Sequence, residues 1–282
     1  MQTNRPKVGL ALSGGSALGN VHIGVLQSFQ DHKIPIDCIS GTSAGAIVAA
    51  CYAFGVPVED MVDKTKSLSW YKISNLSYSR MGLITTDNIG RLTEELIGKV
   101  NIEDAKIPLA IIATDIESGE PVVFKKGNLS QAIMASVCIP GLFVPIEVNG
   151  RQLVDGGLVE NLPLSPLQEM GAEIRIGVDL SRWRNYKKPT SVIDVMLNSL
   201  DIMTHTQTKE QAGRAEILIE PHLEKYTSSD FKKAVELAAE GYRAATLALP
   251  AINNALYPQP SVKEAANGNN NFFKKIVAWF KE

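Results

Sequence analysis

The pentapeptide Gly41-Thr42-Ser43-Ala44-Gly45 fits G-x-S-x-G, a sharp turn from a strand into a helix that lifts a serine above the edge of a sheet. Its flanks agree with that reading. Ile36, Cys38 and Ile39 mark a short buried strand before it, and Ala44 to Phe54 an apolar helix after it. Gly41 and Gly45 flank the serine because side chains there would crowd a tight turn. A serine hydroxyl so placed attacks an acyl carbonyl once a base takes its proton.

Outward from this elbow the chain alternates strand and helix. Val8 to Leu12 is an apolar run ending in a glycine loop, and a helix follows from about Gly19 to Asp31. The strand of the elbow spans Ile36 to Ser40. Leu109 to Thr114, Val122 to Phe124, Ile174 to Val178 and Ile217 to Ile219 read as further strands. Ser130 to Val137, Val192 to Gln211 and Phe231 to Ala248 read as helices. This rhythm predicts an α/β fold with a largely parallel sheet covered by helices on both faces. Ligands of such sheets sit beyond the carboxyl ends of the strands, where the glycine loop and the elbow both lie.

The loop Ser13-Gly14-Gly15-Ser16-Ala17-Leu18-Gly19 presents backbone N–H groups to an anion. It is no Walker loop, because Asn20 and Val21 follow Gly19. It is no dinucleotide fingerprint, because the third position counted from Gly14 is Ser16. An oxyanion hole fits better, since a tetrahedral acyl intermediate needs two or more N–H donors. The third element is Asp155-Gly156-Gly157, after the apolar Leu153-Val154. Alone it reads as a hairpin turn. Beside the elbow and the glycine loop it reads as a carboxylate base with room around it.

These motifs, in this order, resemble the patatin-like phospholipases. The resemblance runs through Val8-Gly9-Leu10-Ala11-Leu12-Ser13-Gly14-Gly15, His22-Ile23-Gly24-Val25-Leu26 and the elbow. It continues through Ala135-Ser136, Ile139-Pro140-Gly141-Leu142-Phe143, Val154-Asp155-Gly156-Gly157 and Asn161-Leu162-Pro163. It implies a three-layer α/β/α sandwich with a mainly parallel central sheet. It also implies hydrolysis of lipid acyl esters by a Ser–Asp dyad without histidine, and no metal or cofactor. By this carry-over Ser43 is the nucleophile and Asp155 the base, with the N–H groups of Gly14, Gly15 and Ser16 forming the oxyanion hole. Two positions depart from the family. Many members carry glycine at the position of Ser16 and a basic residue at that of Leu18, and both departures bear on substrate preference.

A triad hydrolase would instead recruit a histidine. Ser43, Asp155 and His222 satisfy the chain order Ser, acid, His. His22 lies beside the glycine loop, His32 ends the first helix and His205 lies within a helix. Asp115 ends a strand, where it either faces the site or caps a turn before Ser118-Gly119. Arg182, Trp183 and Arg184 either meet a lipid head group or form a solvated loop.

Composition bounds the rest. The chain has 282 residues, 45% of them hydrophobic, and a net charge of −2, so no global basic field points to nucleic acid. Cys38, Cys51 and Cys138 show no metal spacing and read as core residues of a reducing compartment. The short polar N-terminus lacks a secretory pattern, and no run is long and apolar enough to span a membrane, so a cytoplasmic location is expected. Ser67 to Ile84 reads either as an apolar lid or as a surface excursion packed on the core. Residues 1–266 form the catalytic domain in this reading, and residues 267–282 a polar linker with an amphipathic helix. In that helix Phe272, Phe273, Ile276, Val277, Trp279 and Phe280 fall within an arc of roughly 160°. Lys274, Lys275 and Lys281 lie outside it, which suits a membrane interface such as the inner face of the cell membrane. A helix docked on its own domain is the alternative. The expected partner is therefore a lipid or long-chain ester. The rival functions are a carboxylesterase or thioesterase on soluble esters and a non-catalytic lipid-binding regulator.

Overall fold

The computed structural model describes residues 5–66, 75–76, 79–183, 186 and 188–258. From its N-terminus the chain forms β1 (Val8–Leu12), α1 (Asn20–Asp31), β2 (Cys38–Thr42), α2 (Ala44–Ala53) and α3 (Val58–Lys66). The hairpin β3 (Asn75–Leu76) and β4 (Gly82–Thr85) precedes α4 (Asp87–Ile97). Then come β5 (Leu109–Asp115), β6 (Pro121–Phe124), α5 (Leu129–Ser136) and the short strands β7 (Gly141–Phe143), β8 (Ile146–Val148) and β9 (Arg151–Asp155). The chain continues as α6 (Ser165–Glu169), β10 (Ile174–Val178), α7 (Val192–Ala212), β11 (Ile217–Ile219) and α8 (Ala234–Leu256).

The central sheet has the order β11-β10-β1-β2-β5-β9-β8, with β6 also paired to β5. Its first five strands are parallel, and β6, β9 and β8 are antiparallel additions at one end. Strand alternation sets the layers. Val8, Leu10 and Leu12 of β1 enter the large core under α1, α2, α5 and α8, whereas Ala11 joins Leu162, Leu164 and Leu167 on the opposite face. The fold is thus a three-layer α/β/α sandwich with a mainly parallel sheet.

Some bounds differ from the sequence reading for identifiable reasons. β2 runs on to Thr42 because Gly41 and Thr42 still pair with Leu12 and with Ile111 and Ile112. α8 continues past Pro250, because Leu249, Ile252 and Leu256 recur at helical spacing and are buried. The stretch read either as a lid or as a surface excursion packed on the core ends in β4, which pairs with β3 and with β7 and buries Ile84. Residues 67–74 and 77–78 lie outside the described residues. So does the whole amphipathic segment with Phe272, Phe273, Ile276, Trp279 and Phe280, and the division at residues 266 and 267. Among the described residues, no helix is long and apolar enough to cross a membrane.

Candidate active site

Ser43 sits between β2 and α2 with φ 53° and ψ −123°. Only glycine adopts that region freely, and an L-residue held there costs on the order of 1–3 kcal/mol. Its surroundings hold it there. The Ser43 N–H donates to Ser136 Oγ at 2.9 Å, and Thr42 Oγ1 donates to the Glu160 carbonyl at 2.8 Å. A Cβ on Gly41 would lie 2.4 Å from the Gly45 carbonyl oxygen, and one on Gly45 would lie 2.2 Å from that of Leu12. Both glycines are therefore required by the closeness of helix and strand.

Sheet register brings Asp155 to this serine. Consecutive residues of β5, Ile112 and Ala113, pair with Thr42 at the end of β2 and with Asp155 at the end of β9. The parallel strand and the antiparallel one thus meet end to end along β5, one leading into Ser43 and the other into Gly156. Asp155 makes no hairpin turn. It caps the 3-10 turn Gly156–Leu158, with Oδ1 accepting the Gly157 N–H at 2.8 Å. Burial pushes its carboxyl up to about 6. Hydrogen bonds from the Ser43 side chain and the Gly157 N–H hold the value down, and the negative charge of Asp201 on α7 pushes it further up.

The glycine loop follows β1. The Gly14 N–H donates to the carbonyl of Asn161 at 3.3 Å and to its Oδ1 at 3.1 Å, so this donor is engaged within the protein. Among the described residues, the Gly15 and Ser16 N–H groups have no protein acceptor. Ser16 has φ 53°, a backbone conformation that favours glycine. Leu18 is a fully buried core residue, so a basic side chain has no place there. The loop is braced from below: Ser13 Oγ accepts the Leu180 N–H at 3.1 Å, and His22 Nε2 lies 2.8 Å from the Ser13 carbonyl oxygen. Burial pushes the His22 imidazole down to about 4, so the ring is neutral at pH 7 and donates to that carbonyl.

Two cavities meet at Ser43, Ser16 and Ile139. One holds about 1120 Å³ of empty space up to its open mouth and runs beside α2; its wall is apolar apart from the two serines, Asn20 and Lys64. The other, of about 700 Å³, contains Asp155, Gly14, Asn161, Asp201, Thr204 and Ser228. No histidine lines either. His222 is exposed, stacked on Trp183 at 4.8 Å between ring centroids, and its Nδ1 is 3.6 Å from Glu224. His205 Nδ1 lies 3.4 Å from Ser181 Oγ. The structure therefore does not assemble the Ser43–Asp155–His222 triad. Asp115 caps its turn, accepting the Glu117 N–H at 3.0 Å. Arg182 is paired with Glu220, and Arg184 lies outside the described residues. Among the described residues, no group of three or more His, Cys, Asp or Glu side chains is placed to hold a metal ion.

Sequence reasoning did not single out Asn161 and Ser136 as site residues. Asn161 accepts from Gly14 and donates through Nδ2 to Thr208 Oγ1 of α7 at 3.0 Å. Both residues lie in the stretches quoted for the family resemblance, and that was their only visible signal.

The model of the patatin-like phospholipase family matches residues 10–167. The chain belongs to this family. A protein of Mycobacterium tuberculosis named as an uncharacterized NTE family protein is 37% identical over 182 residues, which cover 64% of this chain and 50% of that protein. A protein of Meyerozyma guilliermondii named lysophospholipase NTE1 is 28% identical, over 83% of this chain and 19% of its own length. The chain thus spans half the length or less of these curated relatives. Among solved structures, VipD from Legionella pneumophila superposes with a TM-score of 0.52 at 15% identity, over 87% of this chain and 67% of VipD, a likeness of fold.

Proposed function

We propose that this chain is a serine acyl hydrolase that cleaves long-chain lipid esters, such as phospholipids or lysophospholipids, through Ser43 and Asp155. The observation that carries the reading is the meeting of β2 and β9 on consecutive residues of β5, which sets a buried carboxylate against a strained serine at the mouth of an apolar cavity. Family membership and the relatives named lysophospholipase support the same class of chemistry.

In the proposed reaction Asp155 takes the Ser43 hydroxyl proton as the oxygen attacks the acyl carbonyl. A carboxylate of ordinary pKa is a weak base for this step, and a value of about 6 makes Asp155 a better one that is still ionised at pH 7. The oxyanion is received by the Gly15 and Ser16 N–H groups. The Gly14 N–H joins them only by giving up Asn161. The tetrahedral intermediate then collapses, the bond to the leaving alcohol breaks, and Asp155 returns the proton to that alcohol's oxygen. Water, deprotonated by Asp155, attacks the acyl carbon of the Ser43 ester, the bond from that carbon to Ser43 Oγ breaks, and Asp155 returns the proton to Oγ as the fatty acid leaves.

The test is labelling with a fluorophosphonate, located by mass spectrometry, with Ser43→Ala as control. An adduct on Ser43 is expected, followed by faster hydrolysis of vesicle lipids than of a short soluble ester. Absence of labelling, with vesicles present, overturns the reading in favour of a non-catalytic lipid-binding protein. Labelling with activity confined to short esters points to a soluble-ester carboxylesterase.

A further inference from the structure

We infer that the cavity beside α2 takes the acyl chain and the cavity beneath α7 takes the leaving alcohol, so that Cys51 and Val56 set the acyl length the site accepts. This inference rests on the hydrolase reading above and deepens it.

The assignment follows from where the proton must go. The leaving oxygen recovers a proton from Asp155, so it must lie on the side of Ser43 that Asp155 occupies. Asp155 lines the second cavity and not the first. The acyl substituent projects from the same carbonyl carbon toward the other side and enters the first.

That first cavity has the form of a measuring channel. Ala44, Ile47, Val48 and Cys51 line it from α2 at intervals of three, one and three residues, a single face of one helix. The stripe starts beside Ser43, which caps the helix, and ends at Cys51. At 1.5 Å per residue the two are roughly 12 Å apart along the axis. Val56 closes on the same end, its N–H donating to the Cys51 carbonyl at 2.9 Å. Leu92 and Leu96 of α4, four residues apart, supply a facing stripe. Burial pushes the Cys51 thiol up to about 12, so it meets a chain as a small uncharged group rather than as a nucleophile. An apolar helix would ordinarily pack all its faces. Here one face borders open space that begins at the reactive serine, and an alkyl chain is the ligand such a space fits.

The test uses p-nitrophenyl esters from acetate to hexadecanoate on wild type, Cys51→Phe and Val56→Phe, with circular dichroism to certify each fold. Each phenylalanine is expected to move the kcat/KM maximum to shorter chains and to lower the dodecanoate-to-butanoate ratio about tenfold or more. Leu200→Phe, in the other cavity, is expected to alter discrimination between esters of small and bulky alcohols, leaving the acyl-length maximum in place. The reverse pattern overturns the assignment, as does an unchanged length profile in both Cys51→Phe and Val56→Phe. Binding of cis-parinaric acid to the Ser43→Ala protein, read by fluorescence, separates this inference from the hydrolase reading. If no ester is cleaved but Cys51→Phe weakens that binding about tenfold, the acyl site stands and the hydrolase reading fails. Esters cleaved with an unchanged length profile leave the hydrolase reading standing and sink the acyl site, as does parinarate binding that Cys51→Phe leaves unaltered.

Discussion

The two cavities that meet at Ser43 are built by different parts of the fold. Beneath α7, an antiparallel strand delivers Asp155 and a glycine loop delivers N–H groups, so a wall that also holds Leu158, Leu197 and Leu200 carries polar groups and the carboxylates of Asp155 and Asp201. Beside α2, a helix leaving the parallel sheet turns one apolar stripe toward empty space. The first side can act on electrons and protons, and the second can select only by volume. A substitution on the polar side should therefore change rate constants and their pH dependence, whereas one on the apolar side should change which chain is accepted.

The largest effect is expected for Asp155→Asn. Without a base, kcat should fall by about 10⁴-fold, read from steady-state hydrolysis. The same change should stabilise the protein. A carboxyl whose pKa is higher folded than unfolded binds more protons folded in the interval between, so stability falls as pH rises from about 4 to about 6 and stays lower above. That cost at neutral pH is on the order of 3 kcal/mol, and the amide escapes it. Urea unfolding should show the variant more stable at pH 7, with the gain shrinking to nothing near pH 4. A variant that is less stable at pH 7 would mean that the site does not strain Asp155 toward its neutral form.

The pH profile sharpens the comparison further. Asp155 must be ionised to act as a base, so kcat/KM of the wild type should climb as pH rises through about 6. Asp201 shares the polar cavity and raises the Asp155 value through its charge. Asp201→Asn should move the acid limb to lower pH while Cys51→Phe leaves it in place. A limb that does not move in Asp201→Asn would place the titration elsewhere.

Asn161→Ala should have a smaller effect, about 10-fold to 100-fold in kcat with little change in KM. Asn161 links the Gly14 N–H to Thr208 of α7 and so fixes the loop against the helix that covers the polar cavity. A fall in substrate affinity with kcat unchanged would make it a binding residue instead of a positioning one.

The sequence exposes some of this arrangement and hides the rest for physical reasons. β1 and β10 match their expected bounds because each sets buried apolar residues in a covered sheet, unbroken in β1 and interrupted in β10 only by the partly buried Arg175. The elbow and the glycine loop are legible because close approach of backbones leaves room for glycine alone, and that requirement is local. The helices α3 and α4 have no counterpart in the sequence reading, although in α4 Ile89, Leu92 and Leu96 carry helical spacing. Strands β7 and β8 are three residues each and exist through their partners, which no local pattern reports. Ser136 and Asn161 act on backbone N–H groups 93 and 147 residues away, so nothing near them in the chain announces the role.

Ser16 belongs to both cavities, and Ser16→Gly gives the smallest effect that still tests the comparison. Its φ of 53° costs an L-residue roughly 1 kcal/mol, which glycine avoids. Glycine in turn adds freedom to the unfolded chain, worth a similar amount in the opposite direction. The net change in stability should lie within about 1 kcal/mol of zero in urea unfolding. The kinetic effect should be more telling. The Ser16 N–H is a proposed oxyanion donor, and serine at this φ restricts the loop more than glycine would. A looser loop should lower kcat severalfold without shifting either the acyl-length maximum or the acid limb. A shift in acyl length would mean that Ser16 bounds the acyl channel as much as the oxyanion hole, and the division between a side that acts and a side that measures would then fail at the residue the two share.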